Sequence, residues 1–182
     1  MVWILLFFSF SFSSLALAEG QLFFMEPYVG FSKMEVLDKL VQHKDVSDNF
    51  IIGVRSGINF GKAFLIGADY HAGGPYQFGV LLNRGSWTAK SLGLVLGADY
   101  KVIRFWYGYY FDSRIDDSFN SMAYTGTAQK LGFGLVLSQK LRVNIEVMTY
   151  NLDKRIVGST TSNYSNYEAK ETNAYLSVPV DF

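Results

Sequence analysis

An eight-stranded antiparallel up-and-down transmembrane β-barrel is the fold class this sequence predicts, and three observations lead to it. The first is strict alternation. In residues 141–150, Leu141, Val143, Ile145, Val147 and Thr149 fall on one side and Arg142, Asn144, Glu146, Met148 and Tyr150 on the other. A period of two specifies a β-strand, because successive side chains point to opposite faces. The second is parity: eight such segments are joined by connections that run long, short, long, short, long, short, long. Outer-membrane barrels sort their connections this way, with short periplasmic turns and longer outer loops. The third is inverted polarity, since the face opposite the aliphatic residues carries charge and glycine, which suits a filled lumen better than open water.

The segments follow in order. Residues 23–33 form the first strand, with Pro27, Val29 and Phe31 on one face and Tyr28, Gly30 and Ser32 on the other. The charged stretch 34–49 reads as an outward loop, and the helical spacing of Met34, Leu37 and Val41 allows a short helical turn in it. Residues 50–59 are the second strand, where Ile52, Val54, Ser56 and Ile58 oppose Gly53, Arg55, Gly57 and Asn59. A turn at 60–62 leads to the third strand, 63–71, with Phe64, Ile66, Ala68 and Tyr70 opposite Leu65, Gly67, Asp69 and His71. Residues 72–87 form a loop marked by Gly73-Gly74-Pro75. The fourth strand (89–99) and fifth (102–111) are joined at 100–101 and followed by a charged loop, 112–121. The sixth strand (124–137) turns at 138–140 into the seventh, 141–150. Residues 151–172 read as the longest loop, with a polar Ser/Thr/Asn/Tyr tract, and 173–182 close the chain.

Composition limits the function classes. The chain has 182 residues and a formal net charge of zero from 16 basic and 16 acidic residues, so no basic excess points to nucleic acid. There is no cysteine, which removes disulfides, thiolate metal sites and cysteine nucleophiles. At the start, an apolar run from Val2 to Phe12 is followed by Ser13-Ser14 and an Ala16-x-Ala18 pair, the pattern of a signal peptide cut after Ala18. Residues 1–18 are therefore expected to be an export signal and 19–182 the barrel domain. A soluble periplasmic β-protein is the architectural alternative.

Eight strands enclose a bore that side chains just fill. Arg55, Asp69, Arg104, Lys130, Arg142 and Glu146 all fall on the lumen face, and buried charge without a partner is costly, so a charge network centred on Arg55, Lys130, Arg142 and Glu146 is expected. Phe60, Phe64, Tyr70, Phe105, Tyr109 and Phe111 lie near strand ends, where they would form interfacial girdles.

With Tyr28-Val29-Gly30 in its opening strand and Val178-x-Val180-x-Phe182 at its end, the chain resembles the small OmpA/OmpX-like outer-membrane β-barrel proteins of Gram-negative bacteria. That resemblance implies a location in the bacterial outer membrane among lipid and lipopolysaccharide. It also implies that Val178, Val180 and Phe182 form a signal read by the barrel-assembly machinery during insertion; a closed barrel has no edge to pair, so a monomer is expected.

Little in the chain suggests catalysis. His43 lies in a charged stretch, while His71 shares the lumen face with Asp69, a spacing that lets a carboxylate orient an imidazole for base catalysis. No serine motif marks a nucleophile, and no His/carboxylate cluster has metal-ligand spacing. No catalytic, cofactor-binding or metal residues are assigned, and no cofactor is expected. Three function classes follow: a structural or surface-interaction barrel whose outer loops meet an extracellular partner, a narrow porin-like channel for ions or small solutes, and a lipid-modifying enzyme. The polar 151–172 stretch favours the first.

Overall fold

The computed structural model describes residues 21–40, 42–61, 63–78, 86–138, 140–164 and 166–182. The expected signal peptide, with its Ala16-x-Ala18 pattern, lies outside the described residues. The strands are β1 (Gln21–Asp38), β2 (His43–Phe60), β3 (Phe64–Gln77), β4 (Ser86–Tyr100), β5 (Ile103–Asp117), β6 (Met122–Ser138), β7 (Leu141–Val157), β8 (Thr160–Asn163), β9 (Tyr167–Ser177) and β10 (Val180–Asp181). Eight of them, β1 to β7 and β9, are the staves of a closed antiparallel barrel: each pairs with the next, and β9 closes the ring by pairing with both β7 and β1.

The other two strands are extensions. β8 folds back along the outer end of β7. β10 continues the line of β9 along β1 after a break at Val178-Pro179. Pro179 has no N–H to give to a ladder, so pairing lapses there; Val178 N still donates to Pro27 O at 3.1 Å and Phe182 N to Phe23 O at 2.8 Å.

Register fixes the barrel's geometry. Paired residues traced once around the ring from Met34 pass through Glu171, Met148, Lys130, Gly108, Val95, Gly67 and Gly57, and return to β1 at Phe24. From residue 34 to residue 24 the displacement is ten residues along the same strand. A stagger of this kind tilts the staves by roughly 35–45° from the barrel axis.

At one end the turns are short; the β2–β3 turn uses Gly61 at φ +61°. At the other end the staves themselves run on as tall hairpins, and here the sequence reading needs correction. Within the stretch read as loop, residues 34–38 and 43–49 are strand: β1 and β2 stay paired up to Asp38 opposite His43. Met34 and Val36 turn inward at strand period and are buried, so the helical spacing of Met34 and Leu37 is incidental. Residues 112–117 extend β5 past a bulge at which Phe111 and Asp112 both face outward, returning Ser113, Ile115 and Asp117 to the interior. Most of 151–172 belongs to β7, β8 and β9. In the 72–87 connection β3 continues to Gln77 and β4 starts at Ser86, while residues 79–85 lie outside the described residues. A membrane strand needs only about 9–11 residues; staves of 15 to 18 residues such as β1, β2, β4 and β5 therefore project well beyond a bilayer.

The two faces of the wall settle which solvent it meets. Val29, Phe31, Phe50, Ile52, Leu94, Leu96, Leu131, Ile145 and Leu176 all point out and are exposed, whereas Glu26, Arg55, Asp69, Lys130, Glu146 and Glu171 point in and are buried. A predominantly apolar exterior around a closed sheet is the lipid-facing surface of a membrane barrel. It excludes the soluble β-protein alternative, which would carry its charges outside.

Candidate functional site

The interior is built in tiers because every second residue of each stave points into the bore. Nearest the short turns, Glu26 of β1 accepts from Arg104 Nη1 at 2.7 Å, Arg142 Nη1 at 2.6 Å and Ser177 Oγ at 2.6 Å. Arg104 also donates to Asp99 through Nη2 at 2.6 Å. Two guanidiniums thus face two carboxylates, and the tier is neutral.

The middle tier is neutral as well. Lys130 Nζ lies 2.7 Å from Glu146 Oε1 and 3.3 Å from Asp69 Oδ2, and Arg55 Nη2 lies 3.5 Å from Asp69 Oδ2 and 3.7 Å from Glu146 Oε2. Phenols complete the acceptors' shells: Tyr28 donates to Asp69 at 2.9 Å, Tyr110 donates to Asp69, and Tyr175 donates to Glu146 at 2.9 Å. The cations rest on aromatic faces, with Arg55 4.6 Å from the Trp106 centroid and Lys130 4.9 Å from that of Tyr110. Glycine makes the room. A Cβ on Gly132 would run into the Trp106 ring, and one on Gly53 into Tyr28.

Above these, Glu171 of β9 collects His71 Nε2 at 3.0 Å, Tyr76 OH at 2.7 Å, Ser32 Oγ at 2.7 Å and the Tyr150 hydroxyl. An apolar and aromatic cap closes the tall end. Trp87 stacks on Tyr124 with centroids 5.5 Å apart and takes Phe78 edge-on at 5.3 Å, and Met34, Val36, Ile115 and Leu152 pack into the same cluster. Tyr164 and Tyr167 cover it from the outer hairpin.

All six lumen residues chosen from the sequence point into the bore. Arg55, Asp69, Lys130 and Glu146 meet in the middle tier, whereas Arg104 and Arg142 sit in a separate tier below, on Glu26. The predicted grouping of Arg142 with Arg55, Lys130 and Glu146 is therefore divided. His71 does not pair with Asp69 as its spacing suggests; its partner is Glu171, 100 residues away in the chain. Glu26, Asp99 and Glu171 complete the ion pairs and are not among the network residues expected from the sequence. Glu26 lies on the same alternating face as Tyr28, a signal that could have found it. Glu171 falls in a stretch that reads as loop. His43 stands in the outer hairpin, 3.5 Å from Asp45.

The exterior carries the aromatic residues expected at the boundaries. Phe60, Phe64 and Phe105 are exposed toward the short-turn end and Tyr70, Tyr109 and Phe111 toward the hairpin end. Phe31 and Phe50 add a pair at 4.8 Å above, and Phe23 and Phe182 one at 5.8 Å below.

No protein-family model matches the sequence, and no curated protein sequence matches it. Solved structures do match. Ail, the attachment invasion locus protein of Yersinia pestis, aligns with a TM-score of 0.59 over 90% of this chain and 100% of its own, at 10% identity. The chain has the fold of the small outer-membrane β-barrels. Neisserial surface protein A gives a TM-score of 0.55 over 88% of this chain and 99% of its own at 12% identity. The outer membrane protein OprG from Pseudomonas aeruginosa gives 0.51 over 88% and 97% at 14% identity. At such identities the likeness lies in the barrel, not in any one side chain of the lumen.

Proposed function

We propose that this outer-membrane barrel is a surface-interaction protein: a rigid, side-chain-filled stave ring that holds its tall hairpins outside the membrane for an extracellular partner. The observation that carries this reading is the filled bore beneath projecting hairpins. Ion pairs that join staves across the interior, such as Arg104 with Glu26 and Lys130 with Asp69, occupy the middle of the barrel and weigh against a route for a solute. The capping cluster of Trp87, Phe78 and Tyr124 adds an apolar barrier above them. These features favour a scaffold over the channel reading. They also weigh against catalysis, because the His71–Glu171 pair is fully buried beneath the cap.

The similarity to an attachment invasion locus protein, solved also with the heparin analogue sucrose octasulfate, and to a surface protein supports the same direction for the hairpins of this chain. Val178, Val180 and Phe182 face outward at the closing seam, where an assembly factor meeting the last strand would find them. The test is twofold. Replacing 39–42 and 158–166 with short Gly-Ser turns is expected to abolish binding of expressing cells to host-cell or matrix surfaces while leaving the barrel folded. Planar-bilayer recordings of the intact protein are expected to show no steady conductance. Discrete conductance steps, or surface binding that survives loss of the hairpin tips, would reject the reading.

A further inference from the structure

Beyond the apolar band the hairpins carry a cleft with a polar lining. On β7 the outward positions pass from Val143, Ile145 and Val147 to Thr149, Asn151 and Asp153, so Asp153 stands on the part of the stave that projects from the bilayer. A register shift sets it apart there. Leu152 is paired with Gly126 and Lys154 with Thr125, which leaves Asp153 as the extra residue of a bulge, with no partner on β6. Gly126 lets the two strands close at that point, because a Cβ on it would run into the Asn151 carbonyl. Bulges of this kind re-aim a side chain and are common beside functional sites. The returning chain is fastened to the bulge: Tyr164 N donates to Asp153 O at 2.8 Å, and Lys39 N of the neighbouring hairpin donates to Asn166 O at 2.8 Å. The cleft so formed has a volume of about 470 Å³ and is lined by Asp153, Asn163, Tyr164 and Asn166. Small-molecule sites span roughly 300–1,000 Å³.

We propose that this cleft binds an uncharged hexose at the end of a glycan chain on the partner surface. The inference rests on the surface-interaction reading above and gives it a ligand class and a site. The side chains of Asp153, Asn163 and Asn166 make no hydrogen bond or ion pair among the described residues, so one carboxylate and two carboxamides are open to a ligand. A carboxylate accepts from two neighbouring hydroxyls at once, and a carboxamide both donates and accepts, which is what the adjacent hydroxyls of a pyranose require. Tyr164 is half-buried and supplies the apolar wall; the negative face of an aromatic ring suits the C–H groups of a sugar. Its ring is held by Tyr124 at 5.2 Å and Tyr167 at 5.3 Å, with the Arg155 guanidinium 5.3 Å from its centroid. A wall fixed in advance loses little freedom when a ligand arrives. Other ligand classes fit less well. Calcium takes about 6–8 oxygen ligands, usually several of them carboxylates, and the cleft offers one carboxylate. A sulfate or phosphate would face Asp153 with no cation in the lining, and an apolar ligand would find a single ring.

The test uses the whole protein folded in phosphatidylcholine nanodiscs, free of sugar-based detergent. It reads binding to albumin conjugated with galactose, glucose or mannose by surface plasmon resonance, with competition by the matching free methyl hexoside. Saturable, competed binding to at least one conjugate is expected. D153N is expected to bind that conjugate roughly tenfold more weakly, as the loss of one charge-assisted hydrogen bond would give, and N163A/N166A by a similar factor. None of the three side chains is buried, so both variants are expected to keep the mobility of the folded band on unboiled gels. T160A, on β8 but outside the cleft, is expected to bind as wild type does. Undiminished binding by both cleft variants would overturn the site. So would tighter binding of a galactose-6-sulfate conjugate than of the galactose conjugate, or binding of purified lipopolysaccharide and of none of the conjugates. Binding of no conjugate by a barrel whose hairpin-dependent adhesion to cells persists would overturn the site and leave the surface-interaction reading standing. Conjugate binding by a barrel that adheres to no cell or matrix surface would instead overturn that reading and leave the sugar site.

Discussion

Lys130 and Glu146 meet at 2.7 Å at the centre of the barrel, both without solvent exposure. They are not directly opposed: Lys130 is paired with Met148 and Glu146 with Gly132, so the contact is a diagonal one across β6 and β7. Glycine at 132, opposite Glu146, leaves its space to the ring of Trp106, whose face also carries Arg55. Charge, aromatic face and missing side chain form one unit.

Breaking that unit from one side strands a buried charge. Lys130→Met is expected to cost about 3–5 kcal/mol of barrel stability, the usual penalty for removing one partner of a buried pair. The double variant K130M/E146L is expected to recover a substantial part of that loss. Urea unfolding of the refolded barrel in vesicles, run as a double-mutant cycle, measures both. Additive losses in the cycle would show that the two side chains do not act together.

Filling the glycine is expected to do similar harm by a different route. Gly132→Val forces its side chain into the Trp106 ring, and overpacking of this kind costs about 1–3 kcal/mol. Pairing it with Trp106→Leu is expected to restore part of the stability in the same unfolding assay. A neutral Gly132→Val would show that the indole lies elsewhere.

The lipid-facing wall has its own prediction. Leu94→Arg and Leu131→Arg place a cation on the exposed apolar face and are expected to destabilise by about 2–4 kcal/mol near the bilayer midplane. An arginine at Asp112, outward but beyond the bulge, is expected to cost much less. Comparable costs at all three positions would contradict the assigned membrane level.

How far the sequence could be read follows from what alternation records. Period two sorted Gly53, Arg55 and Gly57 from Ile52, Val54 and Ile58, and the same holds for β3, β4 and β7, because the wall has only two faces. Strand ends were less legible. Residues 34–49 are as charged as a loop, since a hairpin standing in water needs no apolar exterior; only the inward positions Met34 and Val36 record the strand. Partners were the least legible of all. Asp69 is two residues from His71, but the bore lets side chains meet across it, and His71 binds Glu171 from a stave far along the chain. Alternation gives the face of a residue and says nothing of its height in the barrel, which depends on the ten-residue stagger.

Removing Phe182 separates assembly from stability. Phe182 is exposed and packs beside Phe23 at the lower rim, so its deletion is expected to leave refolding in detergent nearly unchanged while reducing the folded barrel recovered from cells several-fold. Equal recovery of the truncated and intact chains from cells would reject a role for Phe182 in assembly.

The inside-out polarity of the wall is the claim on which the rest depends, and electrophoresis of the outer-membrane fraction with and without boiling tests it most directly. A closed, hydrogen-bonded barrel resists cold dodecyl sulfate, so the account predicts a band in that fraction whose mobility shifts on boiling. A protein recovered in the soluble periplasm, with one mobility at both temperatures, would contradict it and every lumen assignment that follows from it.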